Sequence, residues 1–186
     1  MRSERARHNK IIFSGTVGAG KSTAINALSD IATVSTEAIA SDATARLKPT
    51  TTVAMDYGVL NLPGGEKVML YGTPGQERFN FMWDILSEGG SGLVLLINNT
   101  NPDPLQDLEG YLRAFRQFIA STAVTIGVTH MDSAPEPGLD AYRARLITLG
   151  LSPMPAIFRA DARSRDDVAT LVKALLYTLN PGLNDA

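Results

Sequence analysis

The chain contains no cysteine. Disulfides, thiolate metal sites and cysteine-linked prenyl or palmitoyl anchors are therefore excluded. Long hydrophobic runs are also missing. The run Leu93 to Ile97 falls far short of the ~20 residues that a membrane-spanning helix needs. The apolar triplet Ile11-Ile12-Phe13 is too short for a signal-peptide core. Arg2 stands where N-myristoylation requires glycine. No charge of one sign dominates: the formal net charge is −2, which gives no case for nucleic-acid binding. The basic start, Arg2 to Lys10, reads as a solvated terminus, flexible over residues 1–8. These absences predict a cytoplasmic protein without a direct membrane anchor, reaching a membrane only through a partner.

What is present suits one globular domain over residues 1–186 with a substantial core: 44% of residues are hydrophobic and 19% charged. No internal repeat occurs. Strand-like and helix-like stretches alternate, which predicts a parallel α/β sheet. Strands are expected over Asn9–Ser14, Val53–Leu62, Lys67–Tyr71, Gly92–Asn98, Ala123–Val128 and Ala156–Arg159. Helices are expected over Lys21–Ser29, Phe79–Ser87, Leu105–Ala120, Leu139–Leu149 and Ser164–Leu179. The turn Pro63-Gly64-Gly65 makes its two strands antiparallel. The polar segment from Ile31 to Thr52 shows no period. Long segments of that kind are usually functional or disordered.

Residues 15 to 22 read Gly-Thr-Val-Gly-Ala-Gly-Lys-Ser, a complete Walker A loop between an apolar strand and a helix. Gly15, Gly18 and Gly20 free the backbone to curl its N–H groups around an anion, and the following helix adds its positive end. Val17, Gly18, Ala19, Gly20, Lys21, Ser22 and Thr23 are thus the phosphate-binding candidates. Lys21 would reach the β- and γ-phosphates, and the Ser22 hydroxyl would ligate Mg²⁺. A second loop, Gly72-Thr73-Pro74-Gly75-Gln76-Glu77-Arg78-Phe79, leaves the carboxyl end of a strand toward the same crevice. Gly75 can bring its N–H to a γ-phosphate, and Gln76 can orient an attacking water as the catalytic residue.

These two loops together resemble those of Ras-like small GTPases. The loop at Gly72 is similar to their second switch, Asp-x-x-Gly-Gln-Glu. Thr50-Thr51-Thr52-Val53-Ala54-Met55-Asp56-Tyr57 is similar to the run that enters strand two in Rab proteins. The resemblance implies a three-layer P-loop fold with a six-stranded, mostly parallel sheet and one antiparallel edge strand. It implies that Thr52 is the first-switch threonine, giving its hydroxyl to Mg²⁺ and its N–H to the γ-phosphate. Thr129-His130-Met131-Asp132 stands where the family has Asn-Lys-x-Asp. Asp132 would accept hydrogen bonds from the guanine N1–H and amine, a donor pair adenine lacks. Thr129 replaces Asn. His130 replaces Lys and would either lie on the purine or be a plain loop histidine. Asp161-Ala162-Arg163 resembles the Ser-Ala-Lys loop. Ala162 would donate its N–H to the guanine carbonyl, and Arg163 would stack on the base or form a salt bridge at the helix start.

Three positions depart from the family. Gly72 replaces the Walker B aspartate that holds Mg²⁺ through a water, leaving Asp42 and Asp56 as conceivable substitutes. Pro74 should stiffen the second switch. Val17 replaces a glycine and implies slow intrinsic hydrolysis. The Pro-Gly-Gln form resembles a bacterial branch that includes gliding-motility polarity GTPases and relatives acting beside roadblock-domain proteins. The resemblance therefore implies a switch that binds GTP or GDP with Mg²⁺, hydrolyses GTP slowly and signals to a roadblock-like regulator. A non-hydrolysing nucleotide-binding scaffold and a P-loop small-molecule kinase are the alternatives. Arg46 is a candidate cis arginine finger or a solvated side chain.

Overall fold

A computed structural model describes residues 9–35, 55–73 and 89–180. Seven strands form a single sheet. In chain order the elements are β1 (Asn9–Gly15), α1 (Lys21–Leu28), β2 (Val34–Ser35), β3 (Asp56–Asn61), β4 (Lys67–Gly72) and β5 (Gly92–Asn98). They continue with α2 (Pro104–Ala114), α3 (Arg116–Ser121), β6 (Val124–Thr129), α4 (Leu139–Leu149), β7 (Ala156–Arg159) and α5 (Arg165–Leu179). The sheet order is β2-β3-β4-β1-β5-β6-β7. β4, β1, β5, β6 and β7 run parallel, while β3 is antiparallel to β4 and β2 to β3.

This is the expected α/β architecture with two corrections. The sheet has seven strands, not six, because Val34–Ser35 adds a two-residue edge outside β3. The single helix expected over Leu105–Ala120 is two. It breaks at Phe115, whose backbone leaves helical geometry (φ −91°, ψ 11°) while its ring is buried beneath the sheet. The helix expected over Phe79–Ser87 lies outside the described residues.

Alternation along the strands divides the core in two. Ile11, Phe13, Val94 and Leu96 pack with α1 and α5 on one face. Ile12, Leu93, Leu95 and Ile97 pack with α2 and α4 on the other. Every residue of β5 is buried, as a strand covered on both faces requires. The arrangement is three layers: helices, sheet, helices. Among the described residues no helix is long and apolar enough to cross a membrane.

Helix ends are secured by polar groups. Asp103 caps α2 by accepting from the Gln106 N–H at 3.0 Å. Ser164 caps α5 by accepting from the Asp167 N–H at 3.2 Å, and its hydroxyl donates back to Asp167 Oδ1 at 3.1 Å. Arg165 donates to the Leu28 carbonyl at the end of α1 and pairs with Asp30, tying the two helices of one layer together.

Candidate functional site

The loop between β1 and α1 is shaped by its glycines. A Cβ on Gly15, whose φ is 140°, would lie 1.8 Å from the Leu96 carbonyl oxygen, so no side chain is tolerated there. Thr16 stitches the loop to β5: its N–H donates to the Leu96 carbonyl, and its hydroxyl accepts from the Asn98 N–H at 3.0 Å. Gly20 precedes α1 in the left-handed region, with φ 91°. The Lys21 ammonium folds back onto the loop, donating to the carbonyls of Gly15 and Thr16, each at 2.8 Å. Burial pushes this ammonium down to about 8, opposed by the negative field of Asp56.

Beside the loop opens a cleft of about 570 Å³, within the range of small-ligand pockets. Its walls come from three loops at the carboxyl edge of the sheet. The phosphate loop gives Gly18, Gly20 and Thr23. The segment after β6 gives Thr129, His130, Met131, Asp132 and Ser133. The segment after β7 gives Asp161, Ala162 and Arg163, with Arg159, Ala160 and Asp167 behind them. The loops touch. His130 Nε2 bonds the Gly18 carbonyl, and a Cβ on Gly20 would lie 2.6 Å from that of Ala162.

Nine of the residues picked from the sequence line this cleft together: Gly18, Gly20, Thr23, Thr129, His130, Asp132, Asp161, Ala162 and Arg163. The others fall elsewhere. Val17 is 61% exposed at the loop apex. The Ala19 side chain is fully buried in the first core, so its backbone alone faces the loop. Lys21 and Ser22 sit on the cradle next to Asp56. Thr52, Gly75 and Gln76, with Asp42, Arg46 and Pro74, lie outside the described residues.

Two expectations are refined. The Thr129 hydroxyl donates to the Ile97 carbonyl at 3.2 Å within the sheet, and its side chain is buried. Of the two roles open to Arg163, the salt bridge is made: its Nε and Nη2 fork onto the Asp161 carboxylate at 2.9 and 2.8 Å. Hydrogen bonds from the Arg163 side chain and backbone hold the Asp161 carboxyl down at about 2, and the pair raises the Arg163 guanidinium in turn.

Sequence reasoning missed Asn99. This buried residue donates its amide to the carbonyls of Ala134 (2.6 Å) and Pro137 (3.3 Å) and accepts from the Tyr142 hydroxyl at 2.5 Å. It anchors the segment carrying Asp132. A pair of asparagines closing an all-apolar strand is the signal that marks it. Among the described residues no three or more His, Cys, Asp or Glu side chains form a metal cage. The Ser22 hydroxyl and Asp56 carboxylate instead offer hard oxygen donors beside the phosphate loop, a chemistry that fits Mg²⁺.

A mostly parallel sheet with a glycine-rich loop after its central strand and a cleft built at the ends of β6 and β7 is the architecture of a P-loop nucleotide-binding protein of the G-domain kind. The chain belongs to the family described as "conserved hypothetical ATP binding protein", which it matches over residues 32–143, more than half its length. No curated protein matches it. The crystal structure of the G domain of the T. maritima FeoB iron transporter superposes with a TM-score of 0.60 at 17% identity. The match covers 91% of this chain and 97% of that one; at such identity the likeness concerns the fold alone.

Proposed function

We propose that this protein is a guanine-nucleotide switch that binds GTP and GDP with Mg²⁺ and hydrolyses GTP slowly. The observation that carries the reading is the convergence of Asp132 and Ala162 on one cleft that opens from the phosphate loop. In this reading Asp132 accepts from the two guanine donors, which adenine lacks; adenine there would leave a carboxylate unpaired. Lys21 and the N–H groups at the start of α1 bind the phosphates. Mg²⁺, when bound, neutralises developing charge on the phosphate oxygens, and Ser22 and Thr52 are the residues to hold it. Gln76 orients the attacking water. Thr52 and Gly75 report the γ-phosphate to the surrounding segments, so that its loss changes what the surface can bind.

The partner is a roadblock-like regulator, the setting a single cytoplasmic domain, and the branch that of the bacterial polarity GTPases; the Pro74-Gly75-Gln76 form and the absence of cysteine support this. The family's description favours adenine as a second reading. Gly72 and Val17 favour a non-hydrolysing scaffold. A kinase reading would need an arginine lid: of the five late arginines, Arg143, Arg145, Arg163 and Arg165 pair with Asp140, Glu109, Asp161 and Asp30, and Arg159, which lines the cleft, closes strand β7 rather than a lid.

Calorimetric titration of GTP and ATP into wild type and Asp132→Asn tests the base. GTP should bind at least ~100-fold tighter than ATP, and the variant should lose most of that margin. Equal preference in the two proteins removes Asp132 from recognition, and tighter ATP binding by wild type replaces guanine with adenine. Single-turnover hydrolysis by Gln76→Leu, which should retain GTP but turn it over more slowly, separates enzyme from scaffold.

A further inference from the structure

The carboxylate missing at Gly72 is supplied from the neighbouring strand. We propose that Asp56 on β3 is the carboxylate that fixes the divalent cation beside Ser22, in place of an aspartate at the end of β4. This rests on the nucleotide-binding reading above and assigns the residue that reading leaves open.

Three observations converge. The antiparallel register sets Asp56 directly opposite Gly72. The Oδ2 of Asp56 accepts from the Ser22 hydroxyl at 2.5 Å. A Cβ on residue 72 would lie 3.2 Å from both Cβ and Oδ2 of Asp56, and 2.9 Å from Ile25 Cδ1. The Asp56 side chain thus fills the space that a side chain at position 72 would enter. Two aspartates would crowd each other and repel, so the glycine and Asp56 belong together.

The geometry of β3 against α1 explains how the carboxylate arrives there. At the far end of the helix the Val59 N–H donates to Ser29 Oγ at 3.1 Å. Gly58 permits this approach, since a Cβ there would sit 2.8 Å from Ser29 Oγ. From Ser22 to Ser29 the helix rises two turns, about 10.5 Å. From Asp56 to Val59 the strand advances about 10 Å. Pinning Val59 on Ser29 therefore delivers Asp56 to Ser22. A serine hydroxyl and a carboxylate held together at the mouth of a phosphate loop would fill two of the six oxygen positions around Mg²⁺, leaving the rest to phosphate oxygens and water. The same contact could only pin β3 to α1, so the test must read the metal and not the fold.

Release of fluorescently labelled GDP, followed across a Mg²⁺ series and in excess EDTA, makes that distinction. In wild type, Mg²⁺ slows release. Asp56→Asn keeps a partner for Ser22 but should raise the Mg²⁺ needed for half-maximal retention about 10–100-fold, with release in EDTA at the wild-type rate. The double variant Asp56→Gly, Gly72→Asp moves the carboxylate back across the ladder and should need less Mg²⁺ than Asp56→Gly alone. A wild-type Mg²⁺ requirement in Asp56→Asn overturns the assignment. So does release accelerated equally with and without metal, or a double variant no better than Asp56→Gly. Wild type that retains no GDP at any Mg²⁺ concentration would instead refute the nucleotide reading, and the assignment with it.

Discussion

His130 reaches across the cleft to the phosphate loop, its Nε2–H donating to the Gly18 carbonyl oxygen at 2.9 Å. A carbonyl can only accept, so Nε2 carries the proton. His130 is also the one non-glycine residue with positive φ among the described residues, at 61°. The bond couples the segment bearing Asp132 to the glycine-rich loop after β1. Alanine would be a poor probe, because it lacks the polar side chain that makes histidine, asparagine and aspartate the residues favoured in a left-handed backbone. Asparagine tolerates that region, and its amide ends well short of the imidazole Nε2. His130→Asn should keep the fold and weaken GDP binding about 2–10-fold, the worth of one hydrogen bond. Fluorescence titration checks this; unchanged affinity would mean that the two loops hold position without the bond.

Gly20 leaves no room for a side chain against Ala162. A side chain at Gly20 would be strained by its φ of 91° and would drive its Cβ to 2.6 Å from that of Ala162. Gly20→Ala should cost about 2–4 kcal/mol, combining backbone strain with overpacking. For a chain of this size that lowers Tm by about 5–15 °C. Ala162→Gly removes the Cβ partner, so the pair of substitutions should recover part of the loss, and thermal melts of the two singles and the double measure the coupling. Strict additivity would show that the cost is backbone strain alone.

The parts of this molecule that could be read from sequence are those whose physics is local. The phosphate loop needs glycine where a Cβ would strike Leu96, so its pattern survives as a string. The cleft loops follow apolar strands, and strand ends are where such sheets bind ligands. The Ser22–Asp56 and Asn99–Tyr142 contacts, by contrast, join residues 34 and 43 positions apart. Their spacing carries no signal until β3 is laid along α1 and α4 is folded over β5. The break at Phe115 is hidden for a related reason: the helical period of residues 105–120 continues through it, and burial of the ring decides the turn. β2 is too short to show alternation and exists only because β3 offers it an edge.

Asn99 depends on Tyr142, and the segment after β6 depends on Asn99. Burial pushes the Tyr142 phenol above its ordinary range, in keeping with a hydroxyl used as a neutral donor. Tyr142→Phe would leave the Asn99 oxygen buried without its partner, at a cost of about 1–3 kcal/mol. Urea unfolding should show this as a lower midpoint with an unchanged slope. Because Asn99 also holds the carbonyls of Ala134 and Pro137, GDP affinity should fall along with stability. A stability loss with full affinity would confine the network to the core.

Lys21 should give two pH dependences of opposite sign. Its ammonium titrates at about 8 in the folded protein against an ordinary 10.5. Below pH 8 both folded and unfolded chains carry the proton, and the burial penalty is felt in full. Between pH 8 and 10.5 the unfolded chain keeps the proton that the folded one has released, so the contribution of Lys21 to stability rises with pH. Lys21→Met removes that rise, and the difference between the two melting curves isolates it. Binding runs the other way. A phosphate requires the charged ammonium, so above pH 8 the protein must take up a proton to bind, and GDP affinity should fall about tenfold between pH 7.5 and 9. Titrations across that interval, with Lys21→Arg as the permanently charged reference, read the slope directly. An affinity as flat in wild type as in the arginine variant would show that the lysine stays charged when buried, held by the Gly15 and Thr16 carbonyls and the field of Asp56.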